Sequence, residues 1–317
     1  MLTFEKKIDV LMPSCMRKTF KELAAAKFRS YLIGLIGQFK STPKRFWTFL
    51  KTMKMTKTLP AVLRYEGRSV TSDEQKATLL NTCFGSKFTL PSDPREPWPQ
   101  CDEYAIGTLN SLDVSPFRVS AILSSLDRTK SCGADGLSSM VLQQCADVLA
   151  IPLTKIFNKC IRSGTYPKKW KEANIIPIHK KGKTDLAVNY RSVSLLPIVS
   201  KVFEKLLLDA FVSHIRPVIS EAQHGFVSKR SCVTNLSELM SYATTALKEK
   251  SQLEIIYNDF SNAFQSVDHR LLLYKLETSY GISGHLLALF RSYLTDRCQR
   301  VLINGCTSGW SPAVICS

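Results

Sequence analysis

Residues 254–264 read Glu254-Ile255-Ile256-Tyr257-Asn258-Asp259-Phe260-Ser261-Asn262-Ala263-Phe264. Glu254 to Tyr257 are β-favouring and largely apolar, and so short a run, bounded by Asn, Asp and Ser, predicts a buried central strand rather than a helix. Asp259 then stands at the strand's C-terminal lip. A carboxylate there can hold a hard divalent cation, because Mg²⁺ takes one or two carboxylates together with substrate phosphates. The backbone carbonyl of Phe260 is a candidate second ligand, and Phe264 would lie over the same mouth, where a flat aromatic can rest against a sugar. The plainer alternative is that Asp259 only forms the turn, a role for which Asp is preferred.

Working outward, Asn235 to Leu247 has helical spacing and leads through Lys248-Glu249-Lys250 into the strand. Beyond the Asp259 turn, Asp268 is placed to cap a helix reaching Tyr280. A further helix is expected from Ser283 to Leu294 and a strand from Cys298 to Asn304. Upstream, Ile198 to Ile215 alternates apolar residues with Lys201, Glu204, Lys205 and Asp209 at the period of an amphipathic core helix. Asn174 to His179 and Val188 to Leu196 are β-rich and flank Lys180-Lys181-Gly182-Lys183, which predicts a hairpin with a positive tip. Lysines 168, 169, 171, 180, 181 and 183 face only Glu172 in that span. Such a hairpin suits a triphosphate, whose oxygens carry charge that cations neutralise during transfer. The alternative is a solvated basic hairpin with no ligand.

At 317 residues, with 44% hydrophobic and 9% aromatic residues, the chain can bury an ordinary core and hold more than one domain. The 43 Lys and Arg exceed the 26 Asp and Glu by a formal +17, which makes a polyanion, nucleic acid first, the default partner. No apolar run of membrane-spanning length and no secretory pattern is present, so an intracellular place of work, nucleus or cytoplasm, is expected. The ten cysteines are scattered without Cys-x-x-Cys or a nearby His at ligand spacing, and are expected to be reduced and mostly buried.

From Met1 to Lys57 the pattern is helical, with 13 Lys and Arg against Glu5, Asp9 and Glu22. This stretch is either a nucleic-acid surface or a solvated helical face, and Phe46-Trp47-x-Phe49 supplies an aromatic anchor. Leu90 to Gln100 is a proline-rich connector, since Pro denies backbone donors and turns its predecessor away from helix. Ser115-Pro116 opens a helix to Leu126. Ser131-Cys132-Gly133-Ala134-Asp135-Gly136 is a glycine turn in which Asp135 is expected to cap a helix from Ser138 to Leu149. A second helix, Leu153 to Arg162, should end on Gly164 in the left-handed conformation.

Several of these stretches together resemble one family. Tyr257-x-Asp259-Phe260-Ser261-x-Ala263-Phe264-x-Ser266-Val267-Asp268-His269, Asn189-Tyr190-Arg191-Ser192-Val193-Ser194-Leu195-Leu196 and Gln223-His224-Gly225-Phe226-Val227-Ser228-Lys229-Arg230-Ser231 are similar to motifs of reverse transcriptases from non-LTR, LINE-like retrotransposons. Phe46-Trp47, Leu59-Pro60, Ser72-Asp73, Lys76-Ala77 and Cys83-Phe84 follow the order of the segment preceding that polymerase core, and Gly133-Ala134-Asp135-Gly136 resembles its Gly-x-Asp-Gly turn. Two departures stand out: Gln265 replaces a usual Asp, and Ser192 a usual Pro.

The resemblance implies an α/β, helix-rich fold of the right-hand polymerase type. A basic helical extension would span 1–95, fingers 101–250, and a partial palm 251–317. It implies that Asp259 and the Phe260 carbonyl ligate a catalytic Mg²⁺ or Mn²⁺, with Asp259 the catalytic residue. Arg191 would grip the incoming nucleotide with Lys180 and Lys181, and Phe264 would screen out ribonucleotides. Gln223, Gly225, Phe226, Lys229 and Arg230 would lie against template and primer, Gly225 allowing close approach and the cations meeting phosphates. The implied partners are an RNA template, a DNA primer and deoxynucleoside triphosphates, with no membrane and no readable protein partner.

The family's downstream Tyr-x-Asp-Asp pair has no counterpart after Asp259, where Asp268 and Asp296 occur singly. Two-metal nucleotidyl transfer needs such acids. The expectation is therefore an RNA-directed DNA polymerase fragment truncated within the palm and inactive by itself. The alternatives are a non-catalytic nucleic-acid binder derived from such an element and, with less support, a metal-dependent nuclease.

Overall fold

The computed structural model describes residues 22, 26–27, 29–30, 33–34, 36–37, 59–88, 104, 106–260 and 263–313. The chain divides into two compact units, Met1–Pro60 and Ala61–Ser317. In the first, the described residues between 22 and 37 are helical and exposed. The Phe46-Trp47 anchor, the connector of 90–100 and Ser261 lie outside the described residues. The domain boundaries expected near 95–101 and 250 both fall within the second unit, which is mixed α/β.

The second unit opens with a hairpin, β1 (Leu63–Tyr65) and β2 (Arg68–Val70), whose two-residue turn has Glu66 and Gly67 both at positive φ. Helix α1 (Asp73–Gly85) follows, capped by Ser72, which accepts from the Gln75 amide, and carrying Asp73 and Glu74 in its first turn, where the helix dipole favours acids. A helical layer comes next: α2 (Pro116–Ser124), α3 (Ser139–Gln144) and α4 (Ala146–Ser163). The helix expected from 138 to 149 thus breaks at Cys145, and its second half belongs to the next helix. Helix α4 runs through Pro152. The loss of one amide and its hydrogen bond costs about 3 kcal/mol, which burial of Leu153, Phe157, Cys160 and Ile161 offsets at roughly 1.5–3 kcal/mol per large side chain. Gly164 ends it at φ 62 as expected, and a Cβ there would meet the Ala288 methyl at 2.7 Å.

The main sheet is built on β3 (Glu172–His179), β4 (Tyr190–Leu195), β5 (Cys298–Ile303), β6 (Cys306–Thr307) and β7 (Ser311–Pro312). The order is β4-β3-β5-β6, with β7 also on β5; β3 pairs antiparallel with β4 and parallel with β5. The hairpin expected from the two β-rich runs around Lys180-Lys181-Gly182-Lys183 is therefore present, with Ile178 opposite Arg191 and His179 opposite Tyr190. Gln299, Val301 and Ile303 alternate inward on β5 and meet α1, whose Ala77, Leu80, Cys83 and Phe84 are buried. The buried Asn81 amide is satisfied there, donating to the Gly309 carbonyl at 3.1 Å and accepting from Gln299 at 3.1 Å.

Helices α5 (Ile198–Ile215), α7 (His269–Thr278) and α8 (Gly284–Leu294) complete one apolar core with α2 and α4. At its centre Phe157 stacks on Phe203, with ring centroids 4.8 Å apart, and Tyr166 and Trp170 close around them. The Tyr166 hydroxyl is shared with Ser200 at 2.9 Å and donates to Glu204 at 3.1 Å. Burial, first, and the nearby Glu204 carboxylate push its pKa far above the ordinary phenol value. Among the described residues no helix is long and apolar enough to cross a membrane.

Two expectations are corrected. Residues 251–260 form neither strand nor helix and are exposed, Ile256 at 82% and Tyr257 at 80%. An apolar, β-branched run becomes a strand only when its main-chain groups meet a partner edge, and no described ladder includes 254–257. Against the expectation of mostly buried cysteines, of the seven described, all free, only Cys83 and Cys160 are buried, while Cys145, Cys232 and Cys306 are exposed.

Candidate nucleic-acid and nucleotide interface

The basic tip joins β3 to β4. Its shape is fixed from within: the Lys180 amide donates to the Asn189 carbonyl at 2.8 Å, the Asn189 side chain to the Lys183 carbonyl at 2.8 Å, and the Tyr190 hydroxyl to the Thr184 carbonyl at 2.7 Å. Gly182 sits at φ 81 against the Asn189 amide, where a Cβ would be 2.7 Å from Nδ2. Lys180, Lys181 and Lys183 are exposed on this braced loop, and Arg191 is exposed on β4 just beyond it. Two other lysines of the run behave differently. Lys169 pairs with Glu172 at 3.1 Å, and Lys171 is 6% exposed. Burial lowers the Lys171 ammonium pKa, an effect that nearby Asp296 opposes. The exposed cations of the run are thus Lys168 and the tip lysines, together with the paired Lys169.

Beside the hairpin, the glycine turn packs onto the end of β4. Gly136 donates to the Gly133 carbonyl at 3.2 Å, and Asp135 accepts from the Leu137 amide at 3.2 Å. Asp135 therefore shapes the turn, while the cap of α3 is Ser138, which accepts from the Val141 amide. Gly133 approaches so closely that a Cβ would lie 2.3 Å from the Pro197 nitrogen and 2.5 Å from the Leu196 carbonyl carbon.

The second group of candidates precedes α6 (Cys232–Lys248), which Ser231 and Thr234 open with a reciprocal capping box. Gln223 donates to the Gly225 carbonyl at 2.9 Å. His224 is held between Thr234 at 2.9 Å and Glu238 at 2.8 Å, fastening the loop to the helix. Arg230 spends its guanidinium on the carbonyls of Glu221 and Gln223, so it braces this loop, whereas Lys229, at φ 65, is exposed. Phe226, at φ 62 and 94% exposed, meets Phe264 edge-on with centroids 6.3 Å apart. That contact brings the Gln223–Arg230 loop to the stretch that follows Asp259.

Asp259 and Phe260 are exposed, Phe260 at 83%. No cluster of three or more His, Cys, Asp or Glu that could hold a metal occurs among the described residues. A lone exposed carboxylate does not fit a Mg²⁺ or Mn²⁺ site, since such ions are dehydrated only where several oxygens converge. The ties that sequence reasoning missed are those from Arg64 and Lys87 to the tip, two residues that belong to none of the stretches singled out in the sequence.

Comparison with known proteins fits this layout. The profile of the family described as "Reverse transcriptase (RNA-dependent DNA polymerase)" matches residues 178–316. The RNA-directed DNA polymerase from mobile element jockey of Drosophila melanogaster is 28% identical over 317 residues, 97% of this chain and 34% of that protein. Its counterpart from Drosophila funebris is 32% identical over 193 residues, 60% and 21% of the two chains. The probable RNA-directed DNA polymerase from transposon BS of Drosophila melanogaster is 30% identical over 193 residues, 59% and 21%. The chain therefore spans about a third or less of the length of these relatives. The basic hairpin tip, the Gln223–Arg230 loop and the Asp259 stretch all lie inside residues 178–316, so this part of the chain matches the reverse transcriptase family, and the chain is similar to RNA-directed DNA polymerases of Drosophila mobile elements.

Proposed function

We propose that this chain is the substrate-gripping portion of an RNA-directed DNA polymerase, corresponding to fingers and part of a palm, with a basic extension before them. The observation that carries the reading is the braced tip. It presents Lys180, Lys181 and Lys183 to solvent on a loop whose backbone is already fixed, with Arg191 exposed on the paired strand beside it, so little ordering is left for a bound polyphosphate to impose. Arg191 takes the phosphates in its planar fork and the lysines act as point charges. Phe226 and Phe264 form an aromatic edge suited to bases or sugars, and Lys229 beside them meets backbone phosphate of an RNA–DNA duplex. Gln223 and Gly225 shape that loop.

Asp259, with the Phe260 carbonyl, would contribute one carboxylate and one carbonyl to a metal in the intact polymerase. These residues do not compose a metal site by themselves, and synthesis lies outside what they can do alone. The basic tip and the aromatic edge need no metal to bind phosphate and base.

Binding of a fluorescent deoxynucleoside triphosphate and of an RNA–DNA duplex, measured for the parent chain and for Arg191→Ala, tests the reading. Loss of one charge-assisted pair at about 1.5–3 kcal/mol should weaken nucleotide binding by roughly tenfold or more and change duplex affinity less than twofold. Equal loss of both would make the tip a general phosphate surface, and no loss of nucleotide binding would remove it from the site.

A further inference from the structure

A loop that carries three lysines, with an arginine on the strand just after it, repels itself, and internal hydrogen bonds fix its shape without fixing where it points. The ties that aim it come from residues 61–88, which lie outside the family-matched residues. The Arg64 amide donates to the Asp185 carbonyl at 2.7 Å, and Arg64 bridges Leu186 in parallel register, so β1 runs alongside the loop as a short extra strand. The Arg64 guanidinium stands 3.7 Å from the Asp185 carboxylate. On the other side, the Lys87 ammonium donates to the Tyr190 carbonyl at 3.4 Å, one residue before Arg191, while resting 5.5 Å from the Phe84 ring. Between these ties Ala187 is fully buried in the part of the loop that packs on α1 and β1.

We propose that Arg64 and Lys87 are positioning residues for the incoming nucleotide, and that the β1–β2 hairpin with α1 forms the platform on which the basic tip is aimed. The proposal rests on the reading of that tip as the triphosphate site. Two physical consequences follow from the geometry. The Asp185 carboxylate is the acid nearest in sequence to Lys181 and Lys183, and its ion pair with Arg64 at 3.7 Å offsets its charge beside them, so theirs stays available to phosphate. The Lys87 bond holds the main chain from which Arg191 projects, so the arginine meets the nucleotide from a set direction.

The test is a double-mutant cycle on the whole chain with Arg64→Glu and Asp185→Arg, read by binding of a fluorescent deoxynucleoside triphosphate and, separately, of an RNA–DNA duplex. Arg64→Glu should weaken nucleotide binding about fivefold, the scale of an exposed ion pair lost and reversed, and leave duplex affinity within twofold. Combining it with Asp185→Arg should restore nucleotide affinity beyond the sum of the two single effects, which allows for the charge that Asp185→Arg adds to the tip. Lys87→Met, which keeps a stem against Phe84 and removes the donor, should also weaken nucleotide binding selectively. Strict additivity in the cycle overturns the proposal, as does an equal fall in duplex and nucleotide binding. If Arg64→Glu is silent while Arg191→Ala abolishes nucleotide binding, the platform idea fails and the site stands. If both are silent, the site itself is wrong.

Discussion

Gly133 shows how much a single atom decides at the edge of the proposed site. The Cβ that any other residue would bring lies 2.3–2.6 Å from the backbone of Leu196 and Pro197, and backbone cannot move aside as the end of a long side chain can. Gly133→Ala should therefore destabilise the chain by about 1–3 kcal/mol, the range of overpacked sites, and shift the C-terminal end of β4, the strand that carries Arg191 near its start. Denaturant unfolding monitored by tryptophan fluorescence checks it; a midpoint equal to the parent's would mean that the turn and β4 separate freely. Residue-scale features of this kind were partly legible. Gly164 announced its left-handed cap by following a helical run, and Lys180, Lys181 and Arg191 announced a basic tip. Arg230 could not be read in the same way, because its charge suggested phosphate while its actual partners are two carbonyls of its own loop. A sequence shows that a cation is present, and only the fold shows what it faces.

Among elements, those with their own periodicity and caps were readable almost to the residue. Helix α5 spans Ile198–Ile215 as its apolar spacing required, Asp268 caps α7 by accepting from the Arg270 and Leu271 amides, and β3 and β4 pair as the two β-rich runs suggested. The run at 254–257 was not, because strand formation is a property of two segments and the sequence displays one at a time. Helix α7 carries a titratable marker of its own packing. Burial lowers the His269 pKa, an effect that its bond to the Leu294 carbonyl and the neighbouring Asp268 oppose and that Arg297 reinforces. The unfolded chain then takes up a proton more readily than the folded one. Stability contributed by neutral His269 is fully present above the ordinary histidine range and falls as pH drops through about 6.5 towards the lowered folded value. Thermal unfolding measured from pH 7.5 to 5 should show this decline, and His269→Gln should flatten part of it. An unchanged profile would mean that the imidazole is solvated in the folded state.

For the whole molecule, composition was informative about partner and silent about placement. The formal charge of +17 pointed to a polyanion, yet Lys171 is buried, Lys169, Lys205 and Arg118 are paired with acids, and the exposed cations are spread over several elements, the hairpin tip and Lys229 among them. The two aromatic rings that meet at 6.3 Å join the Gln223–Arg230 loop to the residues after Asp259, so nucleic acid lying on one would reach the other. Each phosphate neutralised on a duplex contributes about 0.7 to 0.9 to the slope of log affinity against log salt. Lys229 is assigned as the duplex contact of the Gln223–Arg230 loop, while Lys180, Lys181, Lys183 and Arg191 are assigned to the triphosphate. The most direct measurement is the affinity of this chain for a fluorescent deoxynucleoside triphosphate and for an RNA–DNA duplex after Lys180→Ala and Lys181→Ala are combined: loss of nucleotide affinity with duplex affinity kept within about twofold is expected, and equal loss of both, or loss of neither, would contradict the assignment of the tip as the triphosphate site.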